Sequence, residues 1–169
     1  MRNGGRTGLV GVMVVCAGLA VVRAQAPAAG VLLRVGGSVA RPLELTADGL
    51  ARLPRQSLRV HERDGKDVEY QGFALGEVLK AAGVAFGHDL RGPGLMQYLV
   101  VEASDGYRVV FALPELDPVS PDRTVLLADR RDGKPLDAKE GPLRLVTPGD
   151  KTHGRWVRQV ITLKVGRAS

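Results

Sequence analysis

Three of the four Asp-Gly dipeptides of this chain, each next to β-branched or apolar runs, constrain its fold more than any other feature. They lie at Asp64-Gly65, Asp105-Gly106 and Asp132-Gly133. Aspartate and glycine accept the backbone conformations that the tight turn of a β-hairpin requires. The first two dipeptides have strand-like segments on both sides, at residues 58–63 and 68–71 and at residues 98–103 and 107–112, and therefore predict two hairpins. Repeated turns of this kind indicate a β-rich domain.

Two segments predict short helices that accompany the strands. Thr46 is a suitable N-cap for a helix that continues to residue 53, where Pro54 stops it. A second helix, which ends at Gly83, is predicted by the i, i+3, i+4, i+7 spacing of Leu75, Val78, Leu79 and Ala82. One helical turn is expected at residues 113–116 and a surface loop at residues 85–97. The predicted fold class is α+β, with mixed β-rich sheets and a few short helices.

Residues 1–24 have the features of a secretory signal peptide. Arg2 and Arg6 make the start basic, and residues 9–22 form an uncharged apolar run that is too short to span a bilayer comfortably. We expect cleavage after Ala24, which leaves residues 25–30 as a disordered leader and residues 31–166 as a single domain. The only cysteine, Cys16, leaves with the signal. The expected location is periplasmic or secreted, with no membrane span after cleavage.

The mature chain would have a smaller positive charge than the full sequence. The full sequence has 24 Lys and Arg against 18 Asp and Glu, and the signal removes Arg2, Arg6 and Arg23 but no acidic residue, so the net charge falls from +6 to +3. Aromatic residues make up only 4% of the chain. Platforms for base stacking are therefore scarce, which argues against nucleic acid as a partner. Without a cysteine, the mature domain can form neither disulfides nor a thiolate metal site.

The C-terminal part of the chain contains an ordered set of motifs. Residues 125–165 read VLLADRRDGKPLDAKEGPLRLVTPGDKTHGRWVRQVITLKV. A strand ends in the Asp132-Gly133 turn, a Pro-Leu step follows, and the next strand leads into Pro148-Gly149 and a basic loop. This order resembles the molybdopterin-binding domain of sulfite-oxidase-type oxidoreductases. Short segments at residues 39–53, 70–79 and 105–107 are similar to the same family, so the resemblance covers most of residues 32–165.

The resemblance implies a cofactor-binding segment near the C-terminus. In the family this segment contacts the pterin phosphate, and its residues suit an anion because arginine side chains and oriented backbone amides donate to phosphate oxygens. The alternative is a solvated basic loop in which Trp156 is a core anchor. As exposed charges, Arg155 and Arg158 are expected to contribute only about 0–1 kcal/mol to stability. The candidate cofactor-binding residues are Lys151, Thr152, His153, Gly154, Arg155, Trp156 and Arg158.

The family also implies a molybdenum ligand that this chain lacks. The resemblance places a cysteine thiolate near the end of the strand at residues 58–63, where this sequence offers His61, Glu62, Arg63 and Asp64. Histidine does not reproduce the electron donation of a thiolate to molybdenum. Alternating polar residues at this place are typical of an exposed hairpin. We therefore assign no catalytic residue and no metal ligand.

Other catalytic classes lack a supporting pattern. No serine lies in a nucleophile-elbow motif, and no two histidines have the spacing of a zinc site. The predicted signal has no Arg-Arg pair of the kind that exports folded, cofactor-loaded members of the family. The sequence favours an exported stand-alone domain that binds a small anionic ligand or a periplasmic partner protein and needs no cofactor. The alternative is a genuine molybdopterin-dependent oxidoreductase, or a subunit of one.

The signal-peptide interpretation predicts a mature N-terminus at Gln25. Intact-mass measurement on the exported protein should show the loss of residues 1–24, because the apolar run follows a basic start and ends at a small residue. A full-length species retained in the inner membrane would contradict the interpretation.

Overall fold

The structure is a computed structural model, and it describes Met1 and residues 30–62, 64–119 and 124–168. The predicted signal peptide and nearly all of the predicted leader lie outside the described residues. Within those residues, no helix is long and apolar enough to cross a membrane.

Ten strands lie in this part of the chain. They are β1 (Val31–Gly37), β2 (Leu43–Thr46), β3 (Arg55–His61), β4 (Asp67–Ala74), β5 (Gln97–Ala103), β6 (Arg108–Ala112), β7 (Leu126–Arg131), β8 (Lys134–Pro135), β9 (Arg144–Val146) and β10 (Val160–Arg167).

The strands form two five-stranded sheets. The first has the order β2-β1-β10-β5-β6 and is mixed, because β1 and β10 run parallel while the other neighbours are antiparallel. The second has the order β3-β4-β7-β8, with β9 also paired to β7, and all of its pairs are antiparallel. Both hairpins predicted from Asp-Gly turns are confirmed, as β3–β4 and β5–β6. The third Asp-Gly turn connects β7 to the short β8.

Two short helices pack with the sheets. The helix α1 (Ala47–Ala51) begins where predicted, and the amide of Gly49 donates to Thr46 Oγ1 at 3.2 Å. It ends two residues before the predicted boundary at residue 53. The helix α2 (Leu75–Ala81) buries the predicted apolar face. The described residues also contain 3₁₀ turns at Gly87–Asp89, Gly92–Met96, Leu113–Leu116 and His153–Arg155. The first two of these turns lie in the segment predicted as a surface loop.

The buried side chains divide into two clusters. The larger cluster joins side chains of the first sheet, of α2 and of the second sheet, and it includes Leu33, Leu79, Leu127 and Leu163. The smaller one, here called the small core, belongs to the second sheet and contains Val60, Val68, Tyr70, Leu126, Ala128, Val146 and Trp156. The predicted class, an α+β domain with β-rich mixed sheets and short helices, is confirmed. The loop that follows β9 attaches to the small core, and this attachment positions the site described below.

Gly72 marks a close approach between β4 and β7. A Cβ at this position would lie 2.1 Å from the carbonyl oxygen of Leu127 and 2.6 Å from Cα of Ala128. The pairing of the two strands shifts register next to it, between Gln71 and Gly72. Only a residue without a side chain fits against the neighbouring backbone here.

Gly72→Ala should destabilise the domain by about 1–3 kcal/mol or more, because the new methyl group meets rigid backbone atoms. Gly36→Ala is the matched control in β1, since a Cβ at Gly36 would have nothing within 4 Å. Its effect should stay within about 0.5 kcal/mol. Urea unfolding of both variants checks the prediction, and equal midpoints would show that the two strands can separate without cost.

Candidate functional site

Trp156 anchors the loop between β9 and β10. Its side chain belongs to the small core, where its ring meets that of Tyr70 edge-on at 6.2 Å and 84°. The indole Nε1 donates to the carbonyl oxygen of Thr147 at 2.9 Å, which joins the two ends of the loop. A buried indole needs such an acceptor for its N–H group. Trp156 is therefore buried in the small core, as in the alternative interpretation in which it is a core anchor.

Two further contacts fix the middle of the loop. The ring of His153 stacks on that of Trp156, with 4.0 Å between centroids and 15° between planes. The hydroxyl of Tyr107, which follows the Asp105-Gly106 turn, donates to the carbonyl oxygen of Gly154 at 2.7 Å. The β5–β6 hairpin of the first sheet therefore holds a loop whose anchor lies in the second sheet. Side chains on both sides of the loop are placed by rigid elements.

One side of the loop borders a hollow that we call the basic cleft, with a volume of about 500 Å³. Three cationic side chains line it: Lys139, Arg144 and Arg158. Asp105 is its acidic member. Lys139 and Arg158 are exposed, whereas Arg144 is buried. The full lining is Ala103, Asp105, Tyr107, Lys139, Arg144, His153, Gly154, Trp156, Val157, Arg158 and Gln159.

The other side of the loop borders a second hollow of about 430 Å³, the outer hollow. It extends to the end of β3, where the resemblance places the cysteine of the family. His61 and Glu62 line it there. Nδ1 of His61 lies 3.0 Å from Oδ1 of Asp67 across an exposed hairpin. Its full lining is Arg59, Val60, His61, Glu62, Pro148, Asp150, Lys151, His153 and Trp156.

The candidate cofactor-binding residues therefore do not all lie at one hollow. His153 and Trp156 form a wall shared by the cleft and the outer hollow, while Gly154 and Arg158 line the cleft. Lys151 is exposed beside the outer hollow, and Thr152 is exposed at the start of the 3₁₀ turn.

Arg155 lies apart from the cleft and is held by carboxylates. Its Nε and Nη2 donate to the two oxygens of Asp150 at 2.8 and 2.6 Å, and Nη1 donates to Glu115 at 3.0 Å. Its guanidinium also lies 4.3 Å from the ring centroid of Phe111. These hydrogen bonds raise the pKa of Arg155 and hold the pKa of Asp150 below its ordinary value. The expectation of a freely exposed Arg155 is wrong, because both partners occupy its donors.

Besides the exposed Lys139, the cation of the cleft that the sequence prediction missed is Arg144. Its side chain is 6% exposed, and Nη1 donates to Glu140. The guanidinium lies over the rings of Tyr70, at 5.2 Å, and Trp156, at 5.5 Å. The signal was present in the sequence, since an arginine between Leu143 and Leu145 interrupts an otherwise apolar strand. A charge at a buried strand position is uncommon unless it is paired or functional.

The arrangement can bind an oxyanion. Arginine and lysine donors that converge on one hollow form charge-assisted hydrogen bonds with phosphate or carboxylate oxygens. Among the described residues, no group of three or more His, Cys, Asp or Glu side chains is placed to hold a metal ion. The chemistry offered by the cleft is recognition of a negative group.

Comparisons with known proteins give a family and a fold. The model of a family described as "Oxidoreductase molybdopterin binding domain" matches residues 21–169. The crystal structure of the sulfane dehydrogenase SoxCD from Paracoccus pantotrophus is similar, with a TM-score of 0.63 and 23% sequence identity. The match covers 79% of this chain and 37% of that chain, so this chain spans little more than a third of the solved one. A search of curated proteins found no match.

The carboxylate partners of Arg155 generate a pH-dependent prediction. Arg155→Gln should destabilise the domain at pH 7 by about 1–3 kcal/mol, between the values for exposed and buried ion pairs. Because the folded-state pKa of Asp150 is lowered, the stabilisation is complete above about pH 4 and is lost as the pH falls through the folded value. The difference in unfolding free energy between wild type and variant should therefore shrink as the pH falls below about 4.

Urea unfolding of both proteins at several pH values checks this prediction. Arg41→Gln, at an exposed arginine outside the site, is the control. Its unfolding free energy should equal that of wild type at every pH. A stability difference for Arg155→Gln that stays constant over the whole acid range in which the protein remains folded would contradict the assigned role of Asp150.

Proposed function

This chain belongs to the oxidoreductase molybdopterin-binding domain family, and from that premise we propose that it is an exported domain that binds a phosphate-bearing anion without molybdenum redox chemistry. The observation that supports the proposal best is the meeting of Lys139, Arg144 and Arg158 in one cleft of about 500 Å³. Lys139 precedes β9, Arg144 begins it and Arg158 lies near the end of the loop after it. Their convergence is a property of the folded domain.

The phosphate part of the family's cofactor fits this cleft. Arg158 and Lys139 are exposed at it, and Arg144 provides a buried guanidinium. One carboxylate, Asp105, also lines the cleft, which leaves an excess of positive charge there. Lysine and arginine donors in this arrangement suit phosphate oxygens and are selective against cations.

The metal part of the cofactor does not fit. Residues 30–169 contain no cysteine, and the strand end that the resemblance assigns to the thiolate is occupied by other interactions. There, His61 pairs with Asp67, and Glu62 accepts hydrogen bonds from Tyr70 at 2.5 Å and from Arg131 at 3.0 Å. Without a thiolate, the site lacks the soft anionic donor that tunes molybdenum for electron transfer. Fold membership alone does not establish the redox activity.

The signal predicted from the sequence supports the same proposal. It has the basic start and short apolar run of the general secretory route, which exports unfolded chains. A cofactor that is bound by a folded pocket cannot accompany an unfolded chain. A periplasmic location is therefore consistent with a ligand that the domain acquires after it has folded.

The proposal predicts that protein purified from its native compartment contains no stoichiometric molybdenum. Elemental analysis together with pterin fluorescence should give values far below one per chain, and sulfite and sulfoxide should not be turned over, because no thiolate ligand is available. A molybdenum content near one per chain would refute the non-redox proposal and support a molybdopterin-dependent oxidoreductase.

The proposal also predicts that phosphate-bearing ligands stabilise the domain. A ligand present at about 100 times its Kd adds about 2.7 kcal/mol, which raises the Tm of a domain of this size by roughly 5–10 °C. Thermal-shift titrations should use phosphate, pyrophosphate and a pterin monophosphate. Arg158→Gln should reduce the shift because it removes a cation of the cleft, while unliganded stability changes by only about 0–1 kcal/mol.

Arg91→Gln is the matched control, since Arg91 is exposed and lies outside the cleft lining. Its titrations should match those of wild type, and sodium chloride at equal ionic strength should give no comparable shift. A wild-type Tm that does not respond to any of the three ligands would contradict the anion-binding proposal and favour a partner protein as the ligand of this domain.

A further inference from the structure

We propose that a second copy of this chain docks along the edge strand β6. The two β6 strands run antiparallel about Val110, so that the first sheets of both copies join into one continuous sheet. The edge lies at the end of the first sheet, next to β5. Its pairing does not depend on the proposed anion binding, because the groups that pair are those of the β6 backbone.

The backbone of every second residue of β6 faces the free side of the strand. Beside the turn, the amide of Ala103 donates to the carbonyl oxygen of Tyr107 at 2.9 Å, so these residues form a hydrogen-bonded pair. Bonded and non-bonded pairs alternate along an antiparallel ladder. The register therefore continues the bonding to β5 at Val109 and Phe111. The residues whose N–H and C=O groups face away from β5 are Arg108, Val110 and Ala112.

Most of these outward groups have no partner. The amide of Ala112 donates to Oε1 of Glu115 at 3.1 Å. In the part of the chain that the structure describes, no hydrogen bond reaches the outward N–H or C=O group of Arg108 or Val110. A row of unpaired backbone groups at the edge of a sheet is a template for another strand. β6 therefore has donors and acceptors at the spacing that an antiparallel strand requires.

The other strands at the sheet edges have features that discourage such pairing. β2 has four residues, and β8 has two, one of which is Pro135. β3 exposes the charged side chains of Arg55 and Arg59, and β9 is buried. Short length, proline and charge are the usual ways in which a sheet edge is protected. β6 has five residues and no proline, and its one charged residue, Arg108, is at its first position.

The centre of the β6 edge is apolar. Val110 is 55% exposed, whereas Val109 and Phe111 on either side of it are buried. On the outer face of the sheet, Val110 lies opposite Val100 of β5. Pairing about Val110 would place this side chain opposite its own counterpart, and a row of valines would cross the interface. Neighbouring β-branched side chains on one face of a sheet stabilise strand pairing.

The charge of Arg108 selects this register. With Val110 on the two-fold axis, Arg108 lies opposite Ala112 of the second copy, and the two Arg108 residues are four positions apart, about 14 Å at about 3.4 Å per residue. A register centred on Val109 would place the two arginines two positions apart. One centred on Arg108 would place them directly opposite each other. Like charges at such short separations oppose pairing, whereas charges beyond about 10 Å are largely screened.

The same register uses the backbone groups that are available. Val110 of each copy donates to and accepts from Val110 of the other. The amide of Arg108 donates to the carbonyl oxygen of Ala112 of the second copy, and the pairing does not need the Ala112 amide that Glu115 occupies. β6 is therefore complementary to itself, as a two-fold interface requires. A five-residue edge forms a small interface, so the Kd of the dimer should be on the order of 10–100 µM.

Hydrogen exchange of the exported wild-type protein tests the pairing without a variant. Amide-resolved mass spectrometry should show that the amides of Arg108 and Val110 exchange about threefold or more slowly at about 500 µM than at about 5 µM, since mass action forms the dimer. The amides of Val109 and Phe111 are bonded to β5 and are the internal control, with no dependence on concentration. Equal exchange of Arg108 and Val110 at the two concentrations would overturn the proposal.

Variants of Val110 test the register. Val110→Lys places like charges opposite each other in the dimer, so the Kd measured by sedimentation should rise at least tenfold. Val119→Lys is the matched control, since Val119 is 72% exposed and lies outside the strands, and its Kd should stay within twofold of wild type. An equal mixture of Val110→Lys and Val110→Glu should associate more tightly than either variant alone, because opposite charges then face each other.

Each outcome decides for or against pairing along β6. A wild type that sediments as a monomer up to about 500 µM would overturn it, because this concentration exceeds the expected Kd. A dimer that Val110→Lys does not weaken would use another surface, and a mixture that associates no better than its components would refute the register. Weakening by Val110→Lys and recovery in the mixture would support it. Backbone amide spectra show whether each variant is folded, and wild-type exchange decides if the variants do not fold.

Discussion

The indole of Trp156 lies between the small core and the loop that follows β9, and the site depends on this packing. Its ring contacts Tyr70, its N–H group binds the carbonyl of Thr147, and its face supports the ring of His153. The hydrogen bond therefore joins the two ends of the loop, and the stacking fixes its middle. Because Trp156 is buried against the second sheet, the wall that it forms with His153 between the basic cleft and the outer hollow has a defined position.

The two arginines of the loop differ in whether they pair with carboxylates. Arg155 meets Asp150 within the loop and Glu115 in the 3₁₀ turn Leu113–Leu116, so its charge stabilises the fold. Arg158 is directed to the cleft instead. A guanidinium with two carboxylate partners has little tendency to exchange them for a ligand. Arg155 therefore holds the loop in place, whereas Arg158 is the arginine of the loop that the proposed ligand would meet.

The domain compares differently with the molybdopterin-binding family at the two parts of the cofactor site, the part suited to phosphate and the part that would bind the metal. The domain has the family's sequence pattern and a sulfane-dehydrogenase-like fold, and its basic cleft has donors suited to phosphate. The position that would bind the metal is instead a closed hairpin in which His61 and Glu62 interact with neighbouring side chains. We therefore regard the proposed anion-binding domain as one that keeps the recognition half of the family's site. The redox half requires a thiolate that residues 30–169 do not contain.

The sequence by itself determined the features that depend on local chemistry. The Asp-Gly turns predicted the hairpins, Thr46 marked the start of α1, and the motif order in residues 125–165 indicated the family, because turn, cap and motif preferences act over a few residues. Only the tertiary structure decided the composition of the site. It placed Glu115 beside Arg155 across 40 positions of sequence and Arg144 between the rings of Tyr70 and Trp156. Such pairings depend on how the two sheets and the loop pack in space. The spacing of residues along the chain does not show which of them will meet.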